Sequence, residues 1–310
     1  MLDKFLKIYF LSIYLFPLNV LADLPLAIED LLTYENRYRL ELGVVFANKD
    51  NRNVNSYFDM VQIGAEQFIM LPVGIGEERR NTDFLALALG LRYGLTKKTE
   101  ILSRMTAVAE EVRIRQDNIF FESHYNQRFS DIVFGINHQF SEDNDTPALL
   151  GFTELTMAEN TATNELDLTY GKSLLLGFTT YRAIDPLVLS LTVGYRYAGK
   201  RDVDEFAVDP GDLLFINPSV GFAVNSQVTL TGGFQLRFRG KDEIDSEREG
   251  IRTSNIGLYF GLGYAFSKRL SLHVSTKANV SGDNSAEVGF NILYKFGDLP
   301  KINLNQLENK

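Results

Sequence analysis

The chain has 310 residues, 45% of them hydrophobic, 12% aromatic and 23% charged, with a formal charge of −9. That balance excludes a disordered tail, a bundle of membrane helices and a nonspecific grip on nucleic acid. With no Cys and no Trp, a disulfide scaffold, a Cys-based metal centre and a Cys nucleophile are excluded as well.

Lys4 and Lys7 precede an apolar run from Ile8 to Val20, and Ala22 closes the triplet Val20-Leu21-Ala22 just before Asp23. This is the pattern of a secretory signal peptide over residues 1–22, a buried N-terminal helix being the alternative. The run is about 13 residues, too short for a spanning helix of about 20. An exported chain without Cys suits an oxidising compartment such as the periplasm. Residues 23–35, DLPLAIEDLLTYE, are expected to form a short periplasmic helix or an N-terminal plug.

From residue 36 the sequence alternates with period two, the signature of strands rather than helices. Strands are expected near 36–47, 82–95, 99–113, 127–140, 147–158, 171–184, 186–198, 211–224, 226–239, 253–266, 268–279 and 285–296. Ile256, Leu258, Phe260, Leu262, Tyr264 and Phe266 share one face, opposite Asn255, Gly257, Tyr259, Gly261, Gly263 and Ala265. Similar apolar sets are Leu85, Leu87, Leu89, Leu91, Tyr93 and Val288, Phe290, Ile292, Tyr294, Phe296. Charge is confined to the opposite faces. Strands of about 10 residues with aromatics ending the apolar face fit a tilted strand crossing a bilayer, whereas strands of soluble sandwiches average about 5 to 6.

Short turns at 96–99, 141–146, 183–186, 224–227 and 266–268 alternate with long polar stretches at about 115–126, 159–170, 198–211 and 240–252, and a shorter one at 280–285. The pattern predicts a single-domain, all-β, transmembrane antiparallel up-and-down β-barrel over residues 36–296, with twelve strands and both ends periplasmic. The count depends on residues 48–81. Their piece MVQIGAEQFIMLPV, Met60 to Val73, is apolar enough to fold into the lumen or to supply two more strands, making fourteen. The phase is ambiguous at 99–113 and 147–158, where Glu154 is expected to face inward only with a bulge or shift.

Lumen-lining candidates are Arg37, Arg39, Glu41, Arg92, Arg104, Asp131, Arg196, Gln235, Arg237, Arg239, His273, Lys277 and Glu287. The arginines read either as a basic lining that biases solute charge or as a satisfied network with Glu41, Glu100, Asp131 and Glu287 that holds the barrel together. Phe120, Phe121 and Tyr125, with Phe68 and Met70, could form an apolar mouth or simply pack loops. His124 is expected in a loop and His138 on the outward phase near a short turn. His273 and Ser275 carry the raw ingredients of a barrel phospholipase dyad, but the set Leu270, Leu272, Val274 turns both inward, away from lipid. The acidic loops KDEIDSERE, 241–249, and RDVDE, 201–205, lack calcium-loop spacing and read as solvated. Neither a catalytic nor a metal or cofactor site is expected.

The stretches LGLRYGLTKKTEI (89–101), FSDIVFGINHQF (129–140), GYRYAG (194–199) and GLGYAFSKRLSL (261–272) resemble outer-membrane proteins linked to meta-pathway phenol degradation. The resemblance covers most of residues 36–296 through strand and turn patterns of modest specificity; Ser130 stands before Asp131 where the family usually has Gly. It implies a barrel of the Gram-negative outer membrane for passage of a small aromatic or apolar solute, in contact with membrane lipid. The last strand, AEVGFNILYKF, looks like the signal read by the barrel-assembly machinery, and the tail 297–310 departs from that pattern. A structural or adhesion barrel with a filled lumen is the alternative. The oligomeric state is not legible.

Overall fold

The computed structural model describes residues 32–54, 58–64, 66–72, 76–116, 119–162, 166–203, 206–245, 247–248 and 252–297. The expected signal peptide, most of residues 23–35 and the tail beyond 297 lie outside them. No described residue is helical.

Twelve strands close into a barrel: β1 (Tyr38–Val54), β2 (Gly76–Thr96), β3 (Thr99–Gln116), β4 (Ile119–Ser141), β5 (Ala148–Asn160), β6 (Ser173–Ile184), β7 (Leu187–Ala198), β8 (Leu213–Asn225), β9 (Val228–Arg239), β10 (Thr253–Ala265), β11 (Leu270–Ser281) and β12 (Asn284–Lys295). Each pairs antiparallel with its sequence neighbours, and β12 returns to pair with β1. Closure removes the two sheet edges that would otherwise present rows of unpaired backbone groups to hydrocarbon. Short turns in such barrels face the periplasm and long connections face outward, and the two ends are named accordingly.

The register aligns the apolar faces into a belt. Val44 on β1 stands between Leu87 on β2 and Phe290 on β12. Leu89, Phe260 and Phe290 are 45%, 57% and 47% exposed in the bare chain, an arrangement that lipid satisfies and water does not. Rings gather at the periplasmic rim: Tyr38 and Tyr93 have centroids 4.7 Å apart, Tyr294 and Phe296 4.8 Å. His138, on the outward phase, meets Thr99 Oγ1 at 2.9 Å and sits edge-on to Phe140.

Residues 58–72 do not widen the barrel to fourteen strands. Phe58–Gln62 and Phe68–Pro72 pair only with each other, as a hairpin. A spanning strand needs one lipid face and one lumen face, whereas this piece is apolar on both and is buried on both. It lies within the lumen, packed against inward-facing wall residues.

Two further expectations are corrected. The stretch 115–126 is mostly strand, since β3 and β4 run on as a ribbon to Gln116 and Ile119. His124 therefore sits in β4 rather than in a loop; Tyr125 is 66% exposed on it, and the side chains of Phe120 and Phe121 lie outside the described ones. The two acidic loops fold into short strands, Arg201–Val203, Phe206–Asp209, Glu243–Ile244 and Glu247–Arg248, joined in a second sheet at the extracellular end. Glu154 faces inward on the phase of Ala148, Leu150, Phe152 and Thr156, which are the buried ones, and the ladder between β4 and β5 shifts register on either side of it, at Ile132/Val133 and at Gln139/Ser141.

Candidate functional site

The hairpin enters from the extracellular side and is seated by three apolar clusters. Val61, Ile63, Ile69 and Leu71 pack on Val45, Ala47, Phe84, Ala86, Ala88 and Val108. Phe58 and Met70 meet Ala198, Val203 and Val208. Phe68 joins Phe152, Leu175, Leu213 and Phe215, its ring 5.0 Å from that of Phe215. Burial of this kind contributes about 25 cal/mol per Å2 of apolar surface and offsets the entropy of ordering the hairpin.

Polar ties fix its orientation. Arg196 Nη1 donates to the Phe68 carbonyl at 2.9 Å and Arg239 Nη1 to that of Phe58 at 2.5 Å. Lys49 pairs with Asp59. Buried Arg201 pairs with Glu159, donates to Ser173 Oγ at 2.7 Å and stands 5.6 Å from the Phe58 ring centroid. The hairpin belongs to no spanning strand, and two of its carboxyls are shifted in opposite directions. Burial would raise the Asp59 carboxyl, but the Lys49 ammonium and its hydrogen bond hold it below the ordinary range. Burial pushes the Glu66 carboxyl up, opposed only in part by the Thr179 hydroxyl, which donates to it at 2.8 Å, and by Arg92.

At the other end the chain before β1 folds into the periplasmic mouth. Asn36 N–H donates to the Gly94 carbonyl at 2.8 Å, and Gly94 N–H to that of Arg37 at 3.1 Å. A Cβ on Gly94 would stand 2.2 Å from the Tyr34 carbonyl oxygen, so only glycine lets the segment lie this close. Glu100 on β3, fully buried, accepts the Thr33 N–H at 2.7 Å, and Leu32 packs against the cluster of Ala148, Leu150, Tyr181 and Val188. Glu100 also takes Arg92 Nη1 at 2.7 Å and Asn137 Nδ2 at 2.8 Å, while Glu41 bridges Arg92 at 2.7 Å and Arg39 at 3.2 Å. This is a paired network rather than a free basic lining.

Between hairpin tip and mouth lies a cavity of about 320 Å3. Arg39, Glu41, Arg92, Gln235, His273, Lys277 and Glu287 line it, with Ser275, Tyr259 and Asn291 beside them. Val45, Ile63, Leu102, Leu150, Phe152 and Leu293 add apolar lining, and Glu66, Gln67, Glu154 and Thr179 further polar lining. The remaining candidates lie elsewhere. Arg37 packs by Gly297 at the periplasmic rim, Arg104 meets Glu154 at 3.4 Å, and Asp131 is buried among Arg104, Arg196 and Glu154. Arg196 and Arg239 serve the hairpin, and Arg237 Nη2 donates to Asn279 Oδ1 at 3.2 Å. Glu66 and Thr179 were not among the sequence candidates. The only signal for Glu66 is a charged residue beside Gly64 between two apolar runs.

No curated protein matches the sequence significantly. Among solved structures, an outer-membrane channel from Pseudomonas putida F1 superposes over 83% of this chain and 95% of its own, with a TM-score of 0.58 at 11% identity. The CymD monoaromatic hydrocarbon channel aligns over 86% and 90% at 10% identity and a TM-score of 0.45, and the P. putida toluene transporter TodX over 86% and 91% at 10% and 0.42. These likenesses concern the fold. Residues 77–296 match the family described as "Putative MetA-pathway of phenol degradation", and the chain belongs to that family.

Proposed function

We propose that this barrel sits in the Gram-negative outer membrane and passes a small apolar or aromatic solute without chemistry on it. The observation that carries the reading is the cavity of about 320 Å3 between hairpin and mouth, lined by apolar and polar side chains together. It is about twice the roughly 150 Å3 that admits benzene in an apolar cavity. A solute of that size fits, with its ring against Leu102, Leu150 and Phe152 and any polar substituent toward Ser275 and Asn291. The names of similar channels, for monoaromatic hydrocarbons and toluene, point the same way. Residues 1–22 would export the chain, and β12 would carry the signal for the barrel-assembly machinery. His273 and Ser275 line the cavity rather than the lipid-facing side of β11.

The test is uptake of a radiolabelled monoaromatic by a deletion strain complemented with the chain, beside conductance of the refolded barrel in a planar bilayer. Uptake restored by complementation is expected; uptake indifferent to the chain, with a folded but silent barrel, rejects the proposal. The second reading, a structural barrel with a filled lumen, draws on the paired charges of Arg39, Glu41, Arg92 and Glu100 and on the hairpin that occupies the lumen. It predicts that loop truncations abolish binding of a partner while conductance stays absent.

A further inference from the structure

The hairpin does not sit centrally. Its three apolar clusters take their barrel-wall residues from β1, β2, β3 and β5–β8, and among the described residues none comes from β9–β12. Toward that side Arg239 donates to the Phe58 carbonyl and, with Arg237, faces Asp59, near the extracellular end of the hairpin. The inner faces of β10–β12 interleave Gly257, Gly261, Gly263 and Gly289 with polar side chains, Tyr259 against Gly261, His273 against Gly263 and Lys277 and Asn279 against Gly257, so this wall offers the hairpin hydrogen-bonding groups rather than apolar surface. An apolar hairpin gains by covering apolar wall and would lose by drying a polar one. The polar wall of β9–β12 is thus the side of the lumen that the apolar clusters of the hairpin leave uncovered, and its Gln235, Tyr259, Ser275 and Asn291 line the cavity below the hairpin tip.

At the extracellular edge of the cavity on that side, Lys277 on β11 and Glu287 on β12 are cross-strand partners, joined at 2.5 Å and almost buried. Beyond them Arg237 holds Asn279, and Lys49 reaches Asp283 at 3.6 Å. The bridge presents one charge of each sign to whatever passes, so it favours neither cations nor anions and offers a neutral solute hydrogen-bonding groups.

We propose that solute crosses along the inner faces of β9–β12, between that wall and the hairpin, and that the Lys277–Glu287 bridge is the selectivity element of this route. The inference rests on the reading of the barrel as a channel. Because the chain has no Cys, single Cys variants report the route directly. Ser275→Cys and Asn291→Cys lie on it; Ala86→Cys and Ala198→Cys lie under the hairpin. The refolded barrels are recorded in planar bilayers while a small cationic methanethiosulfonate is added.

The reagent is expected to remove most of the conductance of Ser275→Cys and Asn291→Cys and to leave Ala86→Cys and Ala198→Cys unchanged. Lys277→Gln leaves the glutamate facing the path and shifts the reversal potential toward cations; Glu287→Gln shifts it toward anions. Block confined to Ala86→Cys or Ala198→Cys, or spread equally over all four, overturns the route while the channel reading stands. Reversal potentials unmoved by both bridge variants overturn the selectivity role. A folded wild-type barrel that passes neither ion nor solute overturns the channel reading and this inference with it. Asn291→Cys decides the route if Ser275→Cys does not fold.

Discussion

The Phe215 ring on β8 fills the space that Gly194 leaves on β7: a Cβ on Gly194 would stand 2.3 Å from the ring's Cζ. The same ring touches Phe68 of the hairpin, so the missing side chain at Gly194 sets how deep the hairpin sits. Gly194→Ala is expected to push the ring against Phe68 and to destabilise the refolded barrel by about 1–3 kcal/mol in urea, as overpacking does. Phe215→Leu in the same chain should recover most of that loss, because the smaller side chain frees the space. A double-mutant cycle with no coupling between the two sites would show that the glycine serves another purpose.

Glu100 is the knot of the periplasmic mouth, because a single carboxylate holds the Thr33 N–H, Arg92 and Asn137. Glu100→Ala leaves Arg92 and the Thr33 N–H without that acceptor, and breaking a buried pair costs about 3–5 kcal/mol. The expected outcome is a lower unfolding temperature together with larger single-channel conductance, as the N-terminal segment loses its tie. Glu100→Gln keeps an acceptor oxygen and should be cooler-melting yet still narrow. Equal conductance in wild type, Ala and Gln variants would mean that the segment does not limit flow.

These relationships mark where the sequence was legible. Strand β10 announces itself, because Ile256 to Phe266 alternate without exception and lipid tolerates no charge on that face. Strand β5 is ambiguous for a physical reason: Leu150 and Phe152 are large and apolar yet face inward, where they meet hairpin and cavity instead of lipid. Strand β3 shows the converse, since its outward Ser103 and Ala107 are too small or polar to mark a lipid face. Residues 60–73 read as apolar on both faces, which fixes burial but not whether lipid or lumen surrounds them. The arginines were visible as inward charges, but their division between Glu100, the hairpin carbonyls and Glu287's neighbourhood depends on cross-barrel distances that no local pattern encodes.

The lipid belt gives a prediction that depends on depth alone. Leu89 lies between Leu42 and Met105 in the middle of the outward face of β2. Leu89→Arg should cost about 2–4 kcal/mol of folding stability in vesicles, whereas Phe266→Arg, at the periplasmic rim, should cost about 0–1 kcal/mol. Urea titrations of both in the same lipid check it. Equal losses at the two positions would mean that the belt is not where the register places it.

Docking of the hairpin should be tightest in a window of acidic pH. Asp59 has its carboxyl lowered by Lys49, with Arg239 and Arg237 also facing it. Its contribution is complete above the ordinary carboxylate range and is lost as pH falls through the lowered value. Glu66 has the opposite sign. Burial raises its carboxyl, Thr179 and Arg92 favour the ion, and Glu154 opposes it. The docked hairpin therefore binds a proton more readily than a free one, and docking weakens as pH rises through that range. The rate at which a thiol reagent modifies Ala86→Cys, buried beneath the hairpin, divided by the rate for a free thiol at the same pH, reports the undocked fraction. It should pass through a minimum between the two transitions. Glu66→Gln should flatten the limb at higher pH and Asp59→Asn the limb at lower pH, each leaving the other in place. Profiles that superpose in all three proteins would show that neither carboxyl governs the docking of the hairpin.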